Sequence, residues 1–201
     1  MLIRCILLDD IRYEDVKNLA RLLPPERRNK IDRLRFDEDK LLSLAAGLLI
    51  RREVGEYPLQ TNEHGKPYAV GGKCFSVSHS GRCAVIAVDD HEIGVDVEKL
   101  SEKDYMKIAE RFFHPNELRY VKNAEQSAGA FTRIWTRKEA YLKQRGIGIA
   151  ADLRAFDTTS DDLSRHIMSC DLESYVISVC TAEEIDPTEQ YISFAELKEL
   201  L

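Results

Sequence analysis

WTRKEAYLK, residues Trp135 to Lys143, is the stretch from which the rest of the chain is best read. It lies in a run from Gln126 to Arg145 that has no proline and only Gly129 as a glycine. Good helix formers dominate the run, and Gly146 follows where a helix C-terminus favours a left-handed residue. The run predicts one long helix. Residues four apart share a helix face, so Trp135, Glu139 and Lys143 form one stripe: an aromatic, a carboxylate and an ammonium. That stripe is costly to bury in a core. On a surface it is ordinary, apart from carrying the chain's single tryptophan. The helix is expected to present chemistry through Glu139 and Lys143, with Trp135 as packing that fixes it.

Composition bounds what that chemistry can be. The 201 residues are 44% hydrophobic and 32% charged, enough for a sizeable core in one large domain or two small ones packed together. A net charge of -6 argues against a dedicated nucleic-acid binder but leaves room for a local basic pocket. Cys5, Cys74, Cys83, Cys170 and Cys180 are odd in number and form no CxxC. Several read as small core residues, and a reducing compartment fits them better than a disulfide framework or a zinc site. The opening MLIRCILLDD turns acidic too soon for a signal peptide, and no apolar run approaches a membrane span. A cytoplasmic protein is expected, with neither nucleic acid nor membrane as a partner.

Along the chain, residues 2–8 predict a strand and 13–22 a helix stopped by Pro24 and Pro25. A basic helical stretch follows over 26–35. Asp37 is expected to cap a stronger helix running to Gly55, with Leu41, Leu44, Ala45, Leu48 and Leu49 at helical spacing. Residues 57–72 carry loop chemistry. Three β-like segments come next, 74–78, 83–89 and 93–98, with 89–92 as a hairpin turn between the last two. Ser101 and Asp104 form a capping pattern for a helix to Phe112, and His114-Pro115 opens another. Residues 174–180 predict a strand and 192–201 a closing strand and helix. The order suggests an α+β protein of two halves, residues 1–100 and 101–201. No role is assigned to 150–173.

Within this frame three constellations stand out. Asp96 and Glu98 lie two apart on a predicted strand, so both face one side while Val95 and Val97 face the other. Two adjacent carboxylates repel unless a cation sits between them, and Mg²⁺ with its oxygen ligands is a natural one. Glu139 could add a third carboxylate. Mg²⁺ fills its remaining positions with water and phosphate oxygens, which points to a phosphorylated substrate that Lys143 could also meet. Ser76 to Gly81, SVSHSG, ends a strand with hydroxyls, an imidazole and a glycine suited to cradling phosphate. Gly65-Lys66-Pro67 holds one lysine forward, and Arg27, Arg28 and Lys30 form a basic knot. Taken singly, the carboxylates and basic groups read as solvated charge, and the serine–histidine stretch is balanced between a phosphate cradle and a plain hairpin. No GxSxG, HExxH, Walker A loop or GxGxxG stands at a usable position.

Together, GKP at 65–67, FSVSHSG at 75–81, IGVDVE at 93–98, RFF at 111–113 and WTRKEAYLK at 135–143 resemble, in order and spacing, the 4′-phosphopantetheinyl transferases of the Sfp type. The resemblance extends weakly upstream through 24–36 and fades after Gly148. It implies two similar α+β halves related by a pseudo-twofold in one monomer, with coenzyme A (CoA) bound in the cleft between them. It implies an enzyme of holo-[acyl-carrier-protein] synthase type that moves 4′-phosphopantetheine from CoA to a serine of an acyl or peptidyl carrier protein. By the same resemblance, Asp96, Glu98 and Glu139 hold Mg²⁺. Lys143 and His79 contact the phosphates, Lys66, Pro67 and Ser78 line the CoA site, and Arg27 and Lys30 meet its 3′-phosphate. The base for the serine is left open between Glu139, Glu98 and a metal-bound water. Lys138, about 100° round the helix from Glu139, is expected to face away from the metal, toward substrate or another wall. Carrier docking is expected through apolar residues such as Phe112, Phe113 and Tyr120, or through a local basic patch. Many relatives carry a basic residue directly after the glycine of the upstream helix, where this chain has Leu48 after Gly47. A non-catalytic CoA- or carrier-binding module and a metal-independent CoA-using acyltransferase are the alternatives.

Overall fold

The computed structural model describes residues 1–101, 103, 105–148, 152–186 and 191–197. In chain order the elements are β1 (Leu2–Leu7), α1 (Tyr13–Val16), α2 (Pro25–Asp32), α3 (Asp37–Val54), β2 (Leu59–Thr61), β3 (Pro67–Ala69), β4 (Cys74–Ser80), β5 (Cys83–Asp89) and β6 (Ile93–Lys99). They continue with α4 (Met106–Phe112), α5 (Pro115–Asn123), α6 (Ser127–Arg145), α7 (Asp161–Ser164), β7 (Ile167–Leu172), β8 (Tyr175–Thr181) and β9 (Ile192–Phe194). This is an α+β fold. One sheet has the order β4-β5-β1-β9, another the order β6-β8-β7, and β2-β3 form a separate ribbon.

Strand alternation explains how the layers stack. On β5, Cys83, Val85 and Ala87 face Val95, Val97, Ile177 and Val179 of the other sheet, while Ala84, Ile86 and Val88 face α3. The two sheets therefore pack face to face, with α3 on the outer side of the first and α6 on the outer side of the second. Leu44, Leu48 and Leu49 of α3 are fully buried, each contributing about 1.5–3 kcal/mol by leaving water. Asp37, Glu38 and Asp39 in the first turn of α3 and Arg51 and Arg52 in its last turn match the helix dipole.

Several expectations are corrected. The capping position of α3 is Phe36, which makes no side-chain cap bond, and Asp37 is the first helical residue. The segment 13–22 is one α-helical turn followed by a 3₁₀ stretch, Lys17–Leu22. Residues 89–92 do not close a hairpin: β6 pairs with β8, so this turn carries the chain from one sheet to the other. The Ser76–Ser80 segment remains in the strand throughout, because Ser80 pairs with Cys83 around a tight turn whose Gly81 has φ +58°. The stretch 57–72 contains the β2-β3 ribbon, and 150–173 contains α7 and β7. The capping residue Asp104 lies outside the described residues. β6 precedes residue 100 in the chain yet belongs to the sheet built from C-terminal strands, whereas β9 returns to the N-terminal sheet beside β1.

Candidate active site

The site begins where α6 crosses β6. A Cβ added at Gly94 would collide with the backbone of Ala140 and Gln144. Without a side chain there, the helix lies directly on the strand, and Ala140 is completely buried. Strand alternation then aims Asp96 and Glu98, two and four residues on, at the same side as Gly94. The stripe Glu139 and Lys143 borders the crossing. Gly146, with φ +66°, ends the helix as a left-handed cap.

The side chains meet there. Lys143 Nζ donates to Asp96 Oδ1 at 2.7 Å and to Ser78 Oγ at 3.0 Å. Ser78 Oγ donates in turn to the same Asp96 oxygen at 2.8 Å, and Ser80 Oγ donates to Glu98 Oε2 at 2.7 Å. Burial, reinforced by the charge of Asp96, holds the Glu139 carboxyl above its ordinary range. Burial also raises Glu98, partly offset by the Ser80 hydrogen bond. Among the described residues, no group of three or more His, Cys, Asp or Glu side chains is gathered closely enough to grip a metal as it stands. In this arrangement the ammonium of Lys143 lies on Asp96.

The donor set nevertheless suits a hard cation. Asp96 Oδ2 is buried without a hydrogen-bond partner. Two further carboxylates are destabilised by burial and by the negative charge beside them. An oxygen-ligated cation such as Mg²⁺ would answer both the orphaned oxygen and the repulsion.

Beside this cluster, His79 is held below its usual pKa by burial and by the positive charges of Arg27, Lys143 and Lys30. Arg27 is anchored by its Nη2, which donates to the Ser43 carbonyl at 2.9 Å. His79, Arg27, Lys30 and Lys143 thus form one positive zone. Leu48, which follows Gly47 on α3 where a basic residue would approach the 3′-phosphate, is core. Lys66 and Pro67 lie elsewhere. Lys66 Nζ pairs with Glu92 and donates to the Ile93 carbonyl at 3.2 Å, about 10 Å along β6 from Asp96. Asn62 ties this loop to the end of α6, donating to the Gly146 carbonyl at 2.8 Å. A concavity of about 850 Å³ lined by Leu7, Ile11, Leu19, Leu172 and Phe194 contains none of these residues.

Sequence reasoning placed Ser80 only within the Ser76 to Gly81 cradle and Gly94 only within the IGVDVE motif, and gave neither the role seen here. Ser80 shares the parity of Ser76 and Ser78 on β4, which was the available signal. All three serines serve the seam between the sheets: Ser76 Oγ accepts from Val95 N at 3.0 Å and Ser80 Oγ from Lys99 N at 3.2 Å. Trp135 packs as expected, stacked on Phe131 with ring centroids 6.0 Å apart. His114 caps α5, accepting from Asn116 N at 3.3 Å.

Residues 92–195 match the model of the 4′-phosphopantetheinyl transferase superfamily. The chain is 36% identical to 4′-phosphopantetheinyl transferase gsp of Aneurinibacillus migulanus over 59% of its own length, an alignment spanning about half (54%) of that relative. It is 28% identical to 4′-phosphopantetheinyl transferase Sfp of Bacillus subtilis (strain 168), covering 93% of this chain and 95% of that one. With 4′-phosphopantetheinyl transferase psf-1 of Bacillus pumilus the identity is 32%, over 84% and 82% of the two chains. The chain belongs to the 4′-phosphopantetheinyl transferase superfamily and is of its Sfp type.

Proposed function

We propose that this chain transfers the 4′-phosphopantetheine group of CoA to a serine of an acyl or peptidyl carrier protein, releasing adenosine 3′,5′-bisphosphate. It does so as a magnesium-dependent, monomeric, cytoplasmic enzyme of the holo-[acyl-carrier-protein] synthase class. The observation that supports this most directly is Lys143 bound to Asp96 beside a buried, unanswered Asp96 oxygen, with Glu98 and Glu139 near enough to feel the charges of both. Among the described residues no helix is long and apolar enough to cross a membrane. The same reading divides the chain at residue 100 into two pseudo-twofold halves with CoA between them. One long helix over one sheet on each side supports two similar halves, with β6 and β9 exchanged across residue 100.

In this reaction the serine oxygen attacks the phosphorus that bears the pantetheine arm. The bond from that phosphorus to the bridging oxygen breaks, and the bridging oxygen leaves with the adenosine bisphosphate. Glu139 or Glu98 takes the serine proton. Lys143 stabilises charge gathering on the leaving phosphate. His79, Arg27 and Lys30 receive the remaining phosphate charge, while Lys66, Pro67 and Ser78 border the CoA. Asp96, Glu98 and Glu139 would hold Mg²⁺, which when bound neutralises pyrophosphate charge and orients it for in-line attack.

Intact-mass measurement of apo-carrier proteins incubated with enzyme, CoA and Mg²⁺ tests this. The expected result is a gain of one phosphopantetheine, lost with Glu139→Gln and in EDTA. No gain of mass on any candidate carrier overturns the transfer, and an undiminished gain in EDTA overturns the metal.

A further inference from the structure

Next to Glu139 on α6, Lys138 is 1% exposed, and its partner Glu117, in the first turn of α5, is 0% exposed. Lys138 Nζ lies 2.7 Å from Glu117 Oε2, donates to the Leu153 carbonyl at 2.7 Å and to the Phe156 carbonyl at 2.9 Å, and sits 4.1 Å from the centre of the Phe156 ring. Three N–H donors thus meet three oxygens. Glu117 is equally occupied. Its Oε1 accepts from Thr158 N at 2.8 Å and Thr158 Oγ1 at 2.7 Å, and its Oε2 accepts from His114 N at 2.9 Å. Two neighbours on α6 grip the same wall: Arg137 Nη2 donates to the Thr158 carbonyl, and Tyr141 packs on Phe156 with centroids 4.6 Å apart.

A buried ion pair adds little net stability over apolar residues of similar volume, because desolvation offsets most of the attraction. What it adds is direction. Apolar contacts between α6 and the second sheet resist separation, yet they discriminate weakly between small rotations of the helix. Three hydrogen-bonded or ionic contacts at one ammonium, with an aromatic ring face beside them, permit one rotation only. Successive residues differ by about 100°, so holding Lys138 inward against Glu117 commits Glu139 to the neighbouring face, above β6.

We propose that Lys138 and Glu117 are positioning residues for transfer: the pair pins α6 to α5 and to the 153–158 segment, and so aims Glu139 at Asp96 and Glu98. This rests on the reading of those three carboxylates as the metal seat. It also gives the 153–158 segment a task, as the wall that receives the lysine.

The test is the double variant Glu117→Gln/Lys138→Met, which leaves no unpaired charge and gives Thr158 an amide oxygen to meet. The variant is expected to melt within about 5 °C of the parent protein. Its Mn²⁺ affinity, measured by calorimetry in the presence of CoA, is expected to fall at least about tenfold. The kcat is expected to fall by a similar factor, while KM for CoA changes less than about threefold. A folded double variant with parental Mn²⁺ affinity and kcat overturns the inference. If it does not fold, Thr158→Ala decides: it removes one of the two bonds to Glu117 Oε1 without burying a charge, and unchanged metal affinity and kcat overturn the inference equally. A parent protein that binds no Mn²⁺ overturns the metal seat itself, and the inference with it.

Discussion

Gly94 lies directly beneath the last turns of α6, facing the Ala140 carbonyl and the Gln144 amide with no space for a Cβ. Both obstacles are helix backbone, which cannot swing aside as a side chain end can. Gly94→Ala should therefore cost at least about 3 kcal/mol, at the upper end of overpacking, and lower Tm by about 6 °C or more. If α6 shifts by about 1 Å, Glu139 and Lys143 shift with it, and kcat should fall on the order of 100-fold. Gly129→Ala is the control on the same helix. Nothing lies within 4 Å of its added Cβ, so it should stabilise by about 0.5–1 kcal/mol. Parental activity in Gly94→Ala would remove this contact from the account of the site.

Glu139 shows function drawing on stability. Burial and the charge of Asp96 raise its folded-state pKa above the unfolded value of 4.5. Relative to acid conditions, the metal-free fold therefore loses stability as pH rises from about 4.5 through the raised value, because the native state must then hold an unfavourable buried charge. Glu139→Gln should raise the Tm of metal-free protein at pH 7.5 by about 2 °C or more, and the gain should vanish below pH 4.5. The same variant should transfer almost nothing. Thermal scans in EDTA at several pH values check this, and a variant less stable than the parent at pH 7.5 contradicts it.

Lys143 is the cation that Asp96 already holds, at 2.7 Å. Lys143→Met should lower kcat about 10²–10³-fold, the usual loss when one donor to a developing oxyanion is removed. It should also destabilise the metal-free protein by about 1–2 kcal/mol, since Asp96 is 6% exposed while Lys143 is 30% exposed and partly screened. Lys143→Arg should recover more of the stability than of the rate, because a planar guanidinium does not reproduce a point charge. Equal recovery of both would argue that the lysine serves only the fold.

Much of this was legible from residue order. The long helix, its glycine cap and the parity of Asp96 and Glu98 follow from spacing alone, because periodicity of 3.6 or 2 is imposed by backbone geometry. The sheet assignments were not legible. The turn 89–92 looks like a hairpin because local turn chemistry is the same whether the next strand pairs with its neighbour or crosses to another sheet. The ribbon of β2 and β3 was hidden by Pro67 and by residues with little burial, whereas β7 went unread although Met168, Cys170 and Leu172 alternate with Ser169 and Asp171. Lys138 and Glu117 were invisible as a pair because they stand 21 residues apart on different helices, and a charged residue in a helical pattern reads as exposed. Lys66 was placed in the lining of the CoA site by resemblance; its pairing with Glu92 depends on how the ribbon lies against β6.

His79 gives the site a second pH signature of opposite sense. Burial and the charges of Arg27, Lys143 and Lys30 depress its folded-state pKa below 6.5. The unfolded chain then binds a proton that the folded protein refuses, so stability is full above about pH 6.5 and is lost as pH falls from there through the depressed value. Arg27→Met removes the largest of the neighbouring charges and should move the His79 titration upward, observed on its imidazole resonances by NMR. His79→Gln should flatten the decline in Tm between pH 6.5 and 5. Its transfer activity should show a higher KM for CoA with a smaller change in kcat, as expected for a neutral hydrogen-bonding group that binds phosphate in the ground state and transition state alike. A His79 resonance titrating above 6.5 in the parent protein would mean that an anionic partner, rather than this positive surround, governs the imidazole.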